Sequence, residues 1–418
     1  MGSKPRKEQS TTRQKLLASF ASLVNEKSYF DISISDVSKG AGLSTSSFYT
    51  YFESKKDLLS YYLQESLGTI EGMVRGLLSS TRSPSILVRS LIYTLSTFAD
   101  NRDLAAFHRV FREIEFIDTT LSRAYYETML RTIGAALSER LASSLSQGEY
   151  TVLSAMLLGM AQFIHLFSTV FGLKQEREPG IEAAGDLLIK GLARDAGETQ
   201  ATYKVPRAPK LLDLISEYGI LDNVKNKVKR KLIEASLEVL SRKTFRSTKV
   251  YEICDASGYA VGMFYKAYNS KNDLLRDILH VIGRTLRHYL TTCTEDMEEL
   301  VAVEVKGTAC FLGFVEANAQ IYRIVRESEY IDLGVAKEYY IPFRKAYESR
   351  LANRITTGKI TALDPKPLAT SLMGINHVLG ITGPILKIIG DNELVIETTE
   401  KIYRRGILGL LSGHPSNS

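Results

Sequence analysis

Around residue 45 the sequence gathers small hydroxyl side chains. Ser44, Thr45 and Ser46 stand together, with Ser33 and Ser35 upstream and Tyr49, Thr50, Tyr51 and Lys55 downstream. A serine or threonine hydroxyl both donates and accepts, so a row of them at a helix start suits base edges or phosphate oxygens. Lys55 would open the next helix, where unpaired backbone N–H groups also favour an anion. A second pattern occurs twice, R-x-x-R-E-x-E-(Phe/Tyr)-I-D. It places Arg109, Arg112 and Phe116 in one stretch and Arg323, Arg326 and Tyr330 in another. These arginines could meet an anionic small molecule. The simpler use is a ladder, because Arg109 with Glu113 and Arg323 with Glu327 are i, i+4 neighbours on a helix. Gln162 and His165 in one apolar run, and His377 in another, could line a pocket for the same molecule. Enzymatic motifs are missing: there is no P-loop, no G-x-G-x-x-G after a strand, no H-E-x-x-H and no G-x-S-x-G. The six histidines show no metal-ligand spacing, so no catalytic residue, cofactor or metal is expected.

The elements that must position the hydroxyl row are readable. Leu16, Leu17, Phe20, Leu23 and Val24 recur at helical spacing and predict a helix over 11–27. Ser33 followed by Asp36 is a capping-box pattern for a short helix to about Lys39. Gly42 supplies a tight turn, Ser44 caps a second short helix to about Tyr51, and Ser54 with Asp57 starts a long helix. Two short helices across a glycine-containing turn make a helix-turn-helix. Residues 60–195 and 276–412 carry long stretches of helical pattern and few strand signals, so the expected fold class is all-α. Tyr150 to Leu173 contains no charged residue and is long enough to cross a bilayer. Ser154, Gln162, His165, Gly159 and Gly172 interrupt it, which favours a core helix that is apolar all round over a membrane role.

The chain contains its own copy. FYTYFESKKDLL at 48–59 returns as FYKAYNSKNDLL at 264–275, seven of twelve residues being identical at an offset of 216. RVFREIEFID (109–118) returns as RIVRESEYID (323–332) at offset 214. LLGMAQF (157–163) answers LMGINHV (372–378), and KGL (190–192) answers RGI (405–407), at offset 215. A nearly constant period of this size excludes a short-repeat solenoid. The expected division is a head at 10–59 and a body at 60–195, a linker at 196–224 with a short docked helix, then a divergent head at 225–275 and a body at 276–412.

The helix, the D-V-x-x-x-A-G-L-S turn, the F-Y-x-Y-F pattern and the S-K-x-D-L-L start together resemble the DNA-binding domain of the TetR family of transcriptional regulators, densely over 13–59 and more weakly in the second copy. The resemblance implies that Thr45 and Ser46 read base edges from the recognition helix, that Tyr49 and Lys55 hold phosphates, and that Ser33 and Ser35 add phosphate or groove contacts. It also implies an operator of double-stranded DNA as partner, a small-molecule effector of hydrophobic kind, and bodies whose last two helices form a four-helix dimer interface. Residues 150–173 and about 368–386 would then be interface helices. In a tandem chain the copies could pair with each other as an intramolecular pseudo-dimer, since linkage raises their effective concentration to about millimolar. The alternative is a homodimer in which only the first head reads DNA and the second unit binds a partner or effector.

The second head departs from this pattern. Val261, Gly262 and Met263 replace Thr45, Ser46 and Ser47, Tyr251 replaces Ser35, and Ala267 replaces Tyr51, while Tyr265 and Lys271 are kept. Lys225, Lys227, Lys229, Arg230, Lys231, Arg242, Lys243, Arg246, Lys249 and Lys266 make it basic. Phosphate chemistry is retained and polar base reading reduced, although Val261 could touch a thymine methyl. The net charge of +6 averages over these two heads and a basic arm at Lys4, Arg6 and Lys7. Three cysteines in no C-x-x-C pair fit a reducing cytoplasm, and no secretory signal is expected at the N-terminus.

Overall fold

A computed structural model describes residues 6–101, 104–141, 145–192, 203–355 and 363–412. Lys4, the start of the linker and His414 lie outside the described residues. Among these residues all regular structure is helical. The first copy contributes α1 (Arg6–Glu26), α2 (Ile34–Gly40), α3 (Thr45–Phe48), α4 (Lys55–Ser80), α5 (Pro84–Thr97), α6 (Ala105–Ile117), α7 (Thr119–Leu141), α8 (Gln147–His165) and α9 (Arg177–Lys190). A short α10 (Leu211–Glu217) follows. The second copy contributes α11 (Lys227–Leu240), α12 (Val250–Ser257), α13 (Val261–Ala267), α14 (Lys271–Thr292), α15 (Leu300–Ala317), α16 (Ala319–Ile331), α17 (Leu333–Ile355), α18 (Pro365–Gly380) and α19 (Asn392–Ser412). Helices α11 to α19 repeat α1 to α9 in order. The first helix begins at Arg6 rather than Thr11, so Arg6 and Lys7 of the expected basic arm belong to its first turn.

The chain divides into two compact units, Met1–Ser80 with Thr97–Thr132, and Thr81–Ser96 with Ile133–Ser418. The first unit buries Leu16, Phe20 and Val24 of α1 with Val37, Phe48, Leu58 and Leu59 of the three helices that follow. Phe20 meets Tyr62 edge-on at 5.5 Å. Aromatic pairs of this geometry add to plain area burial.

The second unit is organised around a bundle of α8, α9, α18 and α19. Two close approaches pair a residue with its own counterpart. A Cβ added at Gly159 of α8 would overlap the carbonyl oxygen of Gly374 of α18, and one added at Gly374 would overlap that of Gly159. Likewise a Cβ at Gly191 would stand 2.8 Å from the Tyr403 carbonyl oxygen, and Gly406 lies against Ile189 and Gly191. Self-paired approaches are what a two-fold interface produces. Two of the repeat anchors found in the sequence are therefore points where the copies touch. Polar bonds join them as well: Arg344 grips Glu176 at 2.5 and 3.3 Å, and Lys401 meets Glu149 at 2.5 Å.

The uncharged stretch is α8 continued by a π-turn at Leu166–Val170, and α18 ends in a matching π-turn at Ile381–Ile385. It is long and apolar enough to cross a membrane, but 89% of its apolar window is buried inside the protein. The short helix α10 docks through Leu211, Leu214 and Ile215. Asn318 holds it in place, accepting from the Leu211 N–H at 2.7 Å and donating to the Pro209 carbonyl at 3.1 Å.

Candidate nucleic-acid interface

The first head is set by local hydrogen bonding. At the start of α2 the Ser33 hydroxyl accepts the Asp36 N–H at 3.0 Å, and Asp36 accepts the Ser33 N–H at 2.9 Å. This box, together with Lys27 at 3.0 Å, pulls the Asp36 carboxyl down to about 2, the Ser33 N–H being the largest cause. The chain turns at Gly42, with φ of 70°. Ser44 then caps α3 by accepting the Ser47 N–H at 3.1 Å, and its hydroxyl lies 2.8 Å from that of Ser46. The regular helix ends at Phe48 and continues as tighter turns to Phe52, shorter than the expected run to Tyr51. Phe48 is fully buried and anchors the segment. Ser33, Ser35, Ser44, Thr45, Ser46, Tyr49 and Thr50 are all exposed, Tyr49 by 57% of its surface, while Tyr51 is half-buried. A ring with more than half of its surface in water is not core packing.

The second head reproduces this frame position by position. From Gly258 to Lys271 each residue has the same degree of exposure as its counterpart between Gly42 and Lys55. Phe264 replaces Phe48 in the core, and Tyr265 is exposed by 57% like Tyr49. Gly258 repeats the φ of 70°. Lys243 meets Glu252 at 2.5 Å as Lys27 meets Asp36, and Glu252 is likewise held below the usual carboxylate range by that lysine. The surface chemistry differs. Val261 and Gly262 occupy the exposed start of α13, Tyr251 stands at the site of Ser35, and no side chain caps α13 at Ala260. Lys249 and Lys266 are exposed. Part of the basic run is neutralised within the head: Lys229 pairs with Asp277 at 3.5 Å, Arg242 with Glu238 at 3.7 Å, and Arg230 with Asp222.

Lys55 and Lys271 show a duty that the sequence did not suggest. The Lys55 ammonium donates to the carbonyls of Tyr29 at 2.9 Å and Ile32 at 2.7 Å. Lys271 donates to those of Phe245 at 2.9 Å and Thr248 at 2.8 Å. Each lysine thus ties the loop before the helix-turn-helix to the long helix after it.

The repeated arginine-glutamate pattern completes that brace. Glu113 of α6 accepts the Ser28 hydroxyl at 2.7 Å and the Tyr29 N–H at 3.0 Å. Glu327 of α16 accepts the N–H groups of Phe245 and Arg246, both at 2.7 Å. Burial raises both carboxyls above the ordinary range. The expected Arg109–Glu113 ladder is replaced, because the glutamate turns to the head's backbone while Arg109 donates to the carbonyl of Asn25. Arg326 is held in a buried pair with Glu329 at 3.0 Å, and the Tyr330 hydroxyl donates to Glu327. Arg112, Phe116 and Arg323 sit half-buried on the same two helices. His165 is buried with Nδ1 3.1 Å from the Ser96 carbonyl, and Gln162 is buried beside it on α8.

Of the residues proposed for an effector, the structure brings His377 to a cavity. This is a partly open cavity in the second body, walled by residues of α14, α15, α16, α17 and α18 and closed by Phe163. Its apolar walls include Leu286, Phe311, Tyr339 and Phe343, and its polar groups include Arg287, Glu304, Arg350 and His377. Arg287, Glu304 and Arg350 were not singled out from the sequence. The available signal was Glu304, a lone acid in the apolar stretch LVAVEVKGTACFLGFV.

No curated protein matches the chain. The family model for bacterial regulatory proteins of the tetR family matches residues 16–62 and, a second time, residues 232–278. The chain therefore carries the N-terminal domain of the tetR family of bacterial regulatory proteins twice in tandem.

Proposed function

We propose that the chain is a repressor that binds an operator with unequal half-sites and is released by a small effector. One chain does the work of a dimer. The observation that carries this reading is the pair of heads with one frame and two surfaces: hydroxyls at Thr45 and Ser46, Val261 and Gly262 in their place. The first head reads base edges through Thr45 and Ser46, with Tyr49, Ser33 and Ser35 on the flanking backbone. The second head contributes Tyr265, Lys249 and Lys266 to phosphates and an apolar contact through Val261. Phosphate contacts fix position while base contacts fix sequence, so the two half-sites carry different information. The self-paired glycines support pairing within the chain, since they form the kind of interface that two subunits would otherwise supply. An effector acts by binding one arrangement of the bodies better than another.

Selection of binding sites from random duplex, with the mass of the complex measured in parallel, tests this. The expected result is an asymmetric site bound by a single chain. A symmetric palindrome bound by two chains would replace it with a homodimer in which the first head alone reads DNA.

A further inference from the structure

The effector reading leaves the chemistry of the ligand open, and the cavity in the second body narrows it. We propose that this cavity takes a lipophilic organic acid, its anionic group on Arg287 and a second acceptor atom on His377. This rests on the effector reading only for its consequence at DNA; the binding site stands on its own geometry.

The walls are aromatic and aliphatic, so the body of the ligand is apolar. Arg287 lines the space with its guanidinium over the Phe343 ring at 5.7 Å. Burial and the neighbouring Arg284 work against its charge. A guanidinium stays protonated under such conditions, so it waits for an anion. His377 is 2% exposed. Its Nδ1 lies 2.5 Å from the Tyr322 hydroxyl, and its Nε2 has no hydrogen-bond partner. Burial keeps the ring neutral. With Tyr322 donating to Nδ1, the ring proton sits on Nε2 as a donor for the ligand.

The remaining charge around the space is cationic in balance. Arg350 donates to Thr294 at 2.8 Å, and Arg354 donates to the Met297 and Glu298 carbonyls at 3.0 and 2.8 Å. The one acid on the wall, Glu304, is raised to about 7 by burial and accepts the Tyr347 hydroxyl, so near neutrality it offers a cation only part of a charge. The first copy does not share this chemistry. Glu71 stands where the second has Arg287, His108 where it has Tyr322, and Gln162 where it has His377. The acid site therefore belongs to the second body.

Three naphthalene probes with one apolar body test the charge: 2-naphthoate, 2-naphthalenemethanol and 2-naphthylmethylammonium, each titrated calorimetrically into the full chain. The naphthoate should bind at least about tenfold more tightly than the other two, as a charge-assisted pair adds to shared apolar burial. Arg287→Met should bring naphthoate down to the level of the alcohol while leaving alcohol affinity within about twofold, which shows that the cavity is intact. His377→Phe should weaken naphthoate and alcohol alike. Equal binding of all three, preference for the ammonium, or no binding of any overturns the proposal. Operator affinity is read separately. Naphthoate that binds as expected without loosening DNA leaves the acid site standing and removes the effector reading.

Discussion

The two heads are built alike and finished differently. The brace recurs in both copies: Lys55 and Lys271 on two carbonyls, Glu113 and Glu327 on the loop before the helix-turn-helix, Lys27–Asp36 and Lys243–Glu252 across the first short helix, with one exchange, the Arg246 N–H serving Glu327 where the Ser28 hydroxyl serves Glu113. The exposed start of the second short helix is not duplicated. Ser44, Thr45 and Ser46 correspond to Ala260, Val261 and Gly262. The comparison separates two kinds of constraint. Groups that hold the head's shape act inward and reach the same loop in both copies. Groups that meet a partner act outward and are free to differ when the two partners differ.

The largest effect should come from exchanging the outward groups. Giving the first head the second head's surface, as Thr45→Val, Ser46→Gly and Ser47→Met together, should lower operator affinity by about 100-fold, because each good pairing with a base edge is worth about 1–3 kcal/mol. The reverse exchange, Val261→Thr, Gly262→Ser and Met263→Ser, should raise affinity for a site made of two first-head half-sites. Fluorescence anisotropy with selected duplexes measures both. If the first exchange leaves affinity unchanged, the hydroxyl row does not read DNA and the contrast between the heads has no role in recognition.

The inward groups should behave equally in both copies. Glu113→Ala leaves the buried Tyr29 N–H without its acceptor, and Glu327→Ala does the same to Phe245. Each should cost about 1–3 kcal/mol, the desolvation penalty of an orphaned donor. Urea unfolding of the two variants should agree within about 1 kcal/mol. A large cost in one copy and none in the other would mean that the brace has been kept for different reasons.

Inward and outward groups were not equally legible in the sequence. The helix-turn-helix could be read because it rests on local chemistry: Ser33 with Asp36, Gly42 and Ser44 act on neighbours a few residues away. The repeat could be seen as a repeat, but its cause could not. Gly159 looked like an interruption of an apolar helix, and it is the point at which that backbone touches the backbone at Gly374. Glu113 looked like half of an intrahelical pair because Arg109 is its i, i+4 neighbour, whereas its partner is 84 residues away at Tyr29. The cavity was hidden for the same reason. Arg287, Glu304 and His377 lie on three helices, are separated along the chain and meet only when those helices pack. Local spacing carries local bonds, and long-range bonds leave at most a lone polar residue in an apolar run.

A smaller effect should follow from the helix caps. Ser44 accepts the Ser47 N–H, while Ala260 holds the same extended backbone with no side chain to offer. Ser44→Ala should cost the first head about 1 kcal/mol, and Ala260→Ser should return a similar amount to the second. Thermal unfolding reads both. The second head has lost this cap without losing its helix, because Phe264 and Tyr268 still anchor it in the core. A gain at Ala260 would show that the second surface gave up local stability along with polar reading.

The smallest effect is electrostatic and divides the acids of each head by sign. Asp36 and Glu252 are half-buried and held below their ordinary range, Asp36 by a backbone N–H and a lysine, Glu252 by a lysine and a backbone N–H. Their stabilising contribution is complete above the ordinary carboxyl value and is lost as the pH falls through the depressed one. For Asp36 the loss runs from 3.8 down to about 2. Glu113 and Glu327 are raised by burial, so the fold takes up their protons more readily than the unfolded chain does, and their contribution weakens as the pH rises through the raised value. Acidification from neutral pH should therefore leave the capping boxes intact while it protonates the buried braces. An NMR titration of the Asp36 carboxyl carbon should show a midpoint near 2, and Asp36→Asn should remove the corresponding loss of helix at low pH. A midpoint at the ordinary 3.8 would mean that the box at Ser33 does not form in solution, and the shared frame of the two heads would then begin at Gly42 rather than at the first short helix.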